Sequence, residues 1–243
     1  MEEKTNTFPS EEVTLPSKGL LYPEGSPLRK GVIEMKYMTA KEEDILTNPN
    51  LIENGTVIDK LIESLIVTPI DYNDLLVGDK NAIMVAARIL GYGSEYTFEY
   101  SGKDETVDLS EIQNKELDDS LFQNGNKFEF TLPHTQNHIT FKLLTHKDEK
   151  DISRELEGLK KINKNSSPEL STRLKYIITS VEGKTEKKDI REFVDNYLLA
   201  KDSRALREYI KEIQPDVDLT FFPDDGSSRA NIPVGLKFFW PDL

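Results

Sequence analysis

The chain has 243 residues, 44 of them acidic and 31 basic, giving a formal net charge of −13 and a pI near 4.8. Such a surface repels phosphate backbones, which argues against nucleic acid as a direct partner. It contains no cysteine, which removes disulfides, thiolate catalysis and cysteine-ligated zinc together. No apolar run approaches the roughly 20 residues of a membrane span, and the polar N-terminus leads into no signal-like segment. The expectation is therefore a soluble intracellular protein without membrane association. With 37% hydrophobic residues, 11 Phe and 9 Tyr, a core is within reach.

Residues 13–30 read VTLPSKGLLYPEGSPLRK, with three prolines and two glycines. This predicts an extended N-terminal arm over residues 1–30, turning at Pro23-Glu24-Gly25 and Ser26-Pro27, rather than a regular element. Leu20, Leu21 and Tyr22 on this arm either pack on their own domain or clasp a partner. Val32 to Tyr37 alternates as a strand. Residues 35–93 carry three helices with their start signals: Thr39 with Glu42 as a capping box, Thr56 with Asp59 as a looser version, and Asp79 ahead of the third run. Ile58, Leu61, Ile62 and Leu65 form one apolar stripe; Ile83, Ala87 and Leu90 form the next, ending at Gly91 and Gly93.

Tyr96, Phe98 and Tyr100 alternate, Ser101-Gly102-Lys103-Asp104 turns, and Val107 and Leu109 return as a hairpin. Residues 110–126 read as a turn or two of helix and a Gly/Asn-rich linker, so the domain boundary falls near residue 120. The second half opens on a hairpin, with Phe128, Phe130 and Leu132 leading to Ile139, Phe141 and Leu143. A helix follows from Lys147 to Lys161, stopped by NKNSSP. Leu170, Leu174, Ile177, Ile178 and Val181 make one helical stripe; Ile190, Phe193, Val194 and Tyr197 a second; Leu206, Tyr209, Ile210 and Ile213 a third. A strand to Phe222, a turn at Pro223-Asp224-Asp225-Gly226 and a strand from Ile232 to Trp240 close the chain.

The chain echoes itself. Shifted by 106, IEMKYMTAKEED from Ile33 lies over ITFKLLTHKDEK from Ile139, with Lys36 on Lys142 and Thr39 on Thr145. Shifted by 123, Leu75-Leu76 lies over Leu198-Leu199 and Asp79 over Asp202. Thr14-Leu15-Pro16 likewise echoes Thr131-Leu132-Pro133. Three matches in one order favour tandem duplication, with convergent helix-cap chemistry as the competing account. The fold class expected is α+β: two tandem, internally repeated domains over residues 31–120 and 121–243, each a small helical cluster with β-hairpins.

The search for chemistry finds no phosphate loop, nucleophile elbow or two-histidine zinc helix. His134 and His138 flank a hairpin turn without a third ligand. Asp216, Asp218, Asp224 and Asp225 lack calcium-loop spacing. Arg88, Arg204 and Arg207 lie on capped helices, where they either pair with a partner's carboxylates or form ion pairs within the chain. The reading is of no catalytic residues, no cofactor and no metal.

The segments LPSKGLLYPEGSPL, KYMTAKEEDILTNPNLIENGTVIDKLIESLI, DLLVGDKNAIMVAARILGYG and NIPVGLKFFWPDL together resemble the baseplate hub assembly proteins of T-even-type myoviruses. The resemblance spans nearly the whole chain. It implies a non-enzymatic phage protein that binds hub or tail-tube-initiation proteins while the contractile-tail baseplate is built. It would act in the host cytoplasm or within the virion tail baseplate, as an assembly chaperone or as a permanent structural subunit. Many members carry a Cys-Pro-x-Cys-Gly knuckle in the terminal hairpin. The matching stretch here, Phe222-Pro223-Asp224-Asp225-Gly226, lacks both cysteines, which speaks against zinc. The surfaces expected to meet a partner are Leu20, Leu21 and Tyr22, the three arginines, and the tail residues Phe238, Phe239 and Trp240.

Overall fold

The computed structural model describes residues 9–162, 168–223, 226 and 228–240. The fold is α+β, with helices interleaved among small separate antiparallel sheets. β1 (Ser10–Thr14) pairs with β2 (Val32–Lys36), Thr14 opposite Val32. Four helices follow: α1 (Ala40–Leu46), α2 (Pro49–Glu53), α3 (Val57–Leu65) and α4 (Val77–Tyr92). Then come the hairpin β3 (Glu95–Tyr100) and β4 (Lys103–Asp108), and a three-stranded sheet of β5 (Phe128–Thr131), β6 (His138–Phe141) and β7 (Ile178–Val181). Around that sheet lie α5 (His146–Ile162), α6 (Glu169–Ile177), α7 (Lys187–Asn196) and α8 (Ala200–Ile213). The short pair β8 (Thr220–Phe221) and β9 (Ala230–Asn231) and a closing turn of helix, α9 (Leu236–Phe239), complete the chain.

Several sequence expectations need correction. The arm is no separate arm: β1 is half of a hairpin, a 3-10 turn covers Pro27–Lys30, and Leu15, Leu21, Tyr22 and Leu28 are all buried. Two chain crossings lock it in place. A Cβ at Gly19 would stand 2.4 Å from the Arg29 carbonyl oxygen, and one at Gly31 2.6 Å from that of Lys18. Both glycines have positive φ, as this approach requires. The region read as three helices holds four, because Asn48 starts a new one: its side chain accepts from the N–H groups of Asn50 and Leu51 ahead of Pro49. Thr56 makes no side-chain cap. The stripe ending at Val181 is helical only to Ile177; the β-branched run that follows pairs with β6. The closing strand is α9 instead. Phe238 and Phe239 are both fully buried, and neighbours in a strand would face opposite ways. The expected breaker at 163–167 and the aspartates of the 223–226 turn lie outside the described residues.

The two halves do not stand apart. One continuous hydrophobic cluster runs from Leu15 to Phe239, and the linker read as a boundary is stitched to both sides. Lys115 N–H donates to the Asp216 carbonyl (2.8 Å), and Asp218 N–H to that of Gln113 (2.9 Å). The tail returns to the first half, with Phe221 edge-on to Phe98 and Phe238 edge-on to Tyr96. At the seam, Val77 N–H donates to the Leu144 carbonyl (3.2 Å) and His146 N–H to the Leu75 carbonyl (2.7 Å).

Some groups paired by the sequence shifts make similar bonds. Lys36 Nζ reaches Glu42 (2.8 Å) and Lys142 Nζ reaches Asp148 (2.7 Å). Thr39 and Thr145 each close a capping arrangement on that same acid. Leu15 N–H donates to the Gly31 carbonyl, as Leu132 N–H does to that of Asn137. Leu76 and Leu199 cap α4 and α8 with φ/ψ of −65°/147° and −64°/146°.

Candidate functional site

Two buried carboxylates sit in the first turns of α4 and α8, each fixing the loop that follows a Leu-Pro step. Asp79 accepts from Ser17 N–H (2.9 Å), the Ser17 hydroxyl (2.6 Å) and the Tyr22 hydroxyl (2.6 Å). The Tyr22 hydroxyl in turn accepts from Leu76 N–H (3.0 Å). Asp202 accepts from His134 N–H (2.8 Å), Thr135 N–H (3.1 Å) and the Thr135 hydroxyl (2.9 Å). Burial pushes the Asp79 carboxyl above the usual carboxylate range despite its donors. At Asp202 burial acts the same way, but the His134 and Thr135 donors outweigh it and hold the carboxyl low. Acids in a helix's first turn also meet the positive end of its dipole. Both aspartates hold the fold together and face no solvent.

A second polar cluster lies at the seam of the halves. Asp59 on α3 receives Lys80 Nζ (2.6 Å) and the Tyr72 hydroxyl (3.1 Å), with His146 Nε2 at 3.6 Å. The Tyr72 ring lies 4.5 Å from that of His146. Burial, then the neighbouring Lys80 charge, lowers the His146 pKa, which disfavours the charged ring. No nucleophile completes this cluster among the residues described as its partners, and no group of three metal-binding side chains occurs among the described residues.

One open surface feature is a cleft of about 670 Å³ between residues 113–116 and the C-terminal half of α8. Ile210 and Val217 give it apolar walls, and Arg207, Lys211 and Glu116 stand exposed at its rim. Lys115 bridges its end, donating to the Lys211 and Glu212 carbonyls at the α8 C-terminus, where a cation suits the helix dipole. Residues 113 and 115 bond inward to 216–218. Asn114 sits opposite Val217 in a single antiparallel bridge, and the backbone groups of Asn114 and Glu116 have no backbone partner among the described residues.

The sequence-selected partner residues divide sharply. Leu21, Tyr22, Phe238 and Phe239 are core residues, and Leu20 and Trp240 are half-buried against that core. Arg88 is buried too. Its guanidinium donates to the carbonyls of Gly93 (2.7 Å) and Glu95 (3.0 Å) and lies 5.5 Å and 5.8 Å from the Tyr92 and Tyr96 ring centroids. Leu21, Tyr22, Arg88, Phe238 and Phe239 are thus buried rather than offered at the surface. Arg204 is exposed but pairs with Glu208 (2.8 Å), and Arg207 alone reaches the cleft. The cleft itself escaped sequence reading, because its two walls are nearly a hundred residues apart in the chain. No protein-family model, curated protein or solved structure matches this chain. No described helix is long and apolar enough to cross a membrane.

Proposed function

We propose that the chain is a non-enzymatic protein-binding factor for baseplate hub assembly in a contractile-tailed phage, and that two tandem copies of one ancestral unit build it. The observation that carries the binding role is the cleft beside α8. It offers apolar walls, exposed cations at Arg207 and Lys211 that form no ion pair among the described residues, and backbone groups at Asn114 and Glu116 with no backbone partner among the described residues. An extended partner segment can pair with such groups through its backbone and place alternate side chains in the cleft. The buried carboxylates of Asp79 and Asp202 elsewhere are engaged in holding the fold. The sequence resemblance to hub assembly proteins supplies the partner class: hub or tail-tube-initiation proteins rather than nucleic acid.

As a chaperone, the protein would cover a partner's surface until the hub closes, through a contact whose rate and specificity depend on charge. The test is a pull-down with purified hub proteins at low ionic strength, comparing the native chain with Arg207→Glu/Lys211→Glu. Binding by the native chain that drops about tenfold or more in the variant supports the reading. No binding, or equal binding by both, sinks the role of the cleft. Quantitative mass spectrometry of purified virions decides between chaperone and permanent subunit: absence favours the former, a fixed copy number the latter.

A further inference from the structure

Within the chain, the start of α4 docks on the start of α5 through a small, well-defined contact. Val77 N–H donates to the Leu144 carbonyl and His146 N–H to the Leu75 carbonyl, so residues 75–77 and 144–146 meet as two extended edges. Leu76 is buried at this contact, 4% exposed, and bridges Thr145. The two edges are the helix-leading segments of the two halves.

Each edge has a counterpart elsewhere in the chain. The residue leading into α8 has the backbone conformation of the one leading into α4: Leu199 matches Leu76 to within a degree in φ and ψ. Yet Leu199 is 51% exposed and Tyr197, two residues before it, 60%. The Leu198 carbonyl and Ala200 N–H, which correspond to the bonded groups of Leu75 and Val77, have no partner among the described residues. The counterpart of residues 144–146 is residues 38–40, at the start of α1. There Thr39 closes on Glu42 as Thr145 closes on Asp148. Met38 is half-buried and Ala40 exposed, and the Met38 carbonyl and Ala40 N–H likewise lack partners among the described residues. One molecule thus carries, at residues 38–40 and 198–200, both halves of a contact it makes once internally, each without backbone partners among the described residues.

We propose that residues 198–200 dock on residues 38–40 of a second copy of this chain, repeating between molecules the contact that residues 75–77 make with residues 144–146 inside one. Ala200 N–H would donate to the Met38 carbonyl of the neighbour, and the neighbour's Ala40 N–H to the Leu198 carbonyl, with Leu199 covered as Leu76 is. Ala40 has a methyl where His146 has a ring, which leaves room for the exposed Tyr197. A contact between two different faces is heterologous, so it continues from copy to copy until a ring closes or a filament grows. This inference is independent of the hub partner, which concerns the cleft at the other end of α8.

Two substitutions disable one face each while respecting the fold. Leu199→Asp puts a charge in the apolar contact, yet Asp is favoured at the helix-capping position that Leu199 holds. Ala40→Pro removes the N–H and places a ring where the carbonyl must approach, yet proline is favoured at the first position of a helix. Thr39 before it is already extended, at φ −123° and ψ 173°. Analytical ultracentrifugation of the full chain, run up to about 1 mM, where even weak association shows, should give a mass that climbs with concentration above the 27.8 kDa of one chain. Each variant alone should associate about tenfold to a hundredfold more weakly, as loss of a buried leucine implies. An equimolar mixture of the two should recover a species of two chains and grow no further, since only one pair of intact faces remains. Circular dichroism and thermal melting confirm that both variants are folded. A native chain that stays monomeric throughout overturns the proposal, as does association that both folded variants leave unchanged. Monomeric chain that captures a hub protein through Leu199 overturns it too, and gives the face to that partner.

Discussion

Substituting alanine at Gly78 and at Gly158 should move stability in opposite directions. Both glycines lie inside helices, Gly78 in the first turn of α4 and Gly158 in α5. On propensity alone, each change gains up to about 1 kcal/mol. At Gly158 a new Cβ meets nothing within 4 Å, so that gain should appear in full. At Gly78 it would sit 1.7 Å from the Pro215 carbonyl oxygen, 2.8 Å from the carbonyl carbon and 3.1 Å from Asp216 Cα. Close carbon–oxygen contacts settle near about 3.3 Å, so the Pro215 carbonyl must retreat by roughly 1.6 Å. Backbone on both sides resists, and such overpacking costs about 1–3 kcal/mol. The retreat also strains the bond from Asn81 Nδ2 to Asp216 (2.9 Å), for about 1 kcal/mol more. Subtracting the helical gain leaves Gly78→Ala less stable by about 1–3 kcal/mol. Urea unfolding followed by circular dichroism at 25 °C reads both changes as midpoint shifts at constant slope. A Gly78→Ala protein as stable as the native chain would refute the close approach of the 215–216 segment to α4.

Asp202→Ala should cost about 2–4 kcal/mol in the same assay, because it strands the His134 and Thr135 donors that close on it; a loss under about 0.5 kcal/mol would mean that the loop holds itself. Tyr22→Phe should cost about 1–3 kcal/mol, since the hydroxyl both donates to Asp79 and accepts from Leu76 N–H, and an unchanged melting temperature would return Tyr22 to the surface arm read from sequence. His146 should make stability sensitive to mild acid. Its folded pKa lies below its unfolded value, so the unfolded chain takes up the proton first as pH falls through about 6.5. The contribution is whole above that pH and is lost as pH falls toward the folded value. His146→Phe should flatten this part of the profile measured by thermal melting between pH 5 and 8; an identical slope would assign the effect to other groups.

Local signals in the chain were enough to place much of the fold. Alternation marked β2, the β3–β4 hairpin and the β5–β6 hairpin, because one face of each must be buried and side chains alternate with period two. The Thr39 and Glu42 capping box reads directly from its spacing, since both partners lie within one turn. The α+β class follows from these. Tertiary contacts decided what sequence alone left ambiguous or led astray. Leu20, Leu21 and Tyr22 look like loose anchors on a proline-rich arm, and only the buried Asp79, more than fifty residues on, explains where Tyr22 must go. Phe238 and Phe239 fit a strand as well as a helix until Tyr96 sets which side they face. Asp59 leaves its expected capping role for Lys80, a partner that helix spacing does not reveal. The cleft beside α8 and the exposed step at Leu199 are likewise properties of assembled surfaces. A side chain's chemistry is written in the sequence, but whether it is buried or offered to a partner depends on residues that the chain brings alongside only by folding.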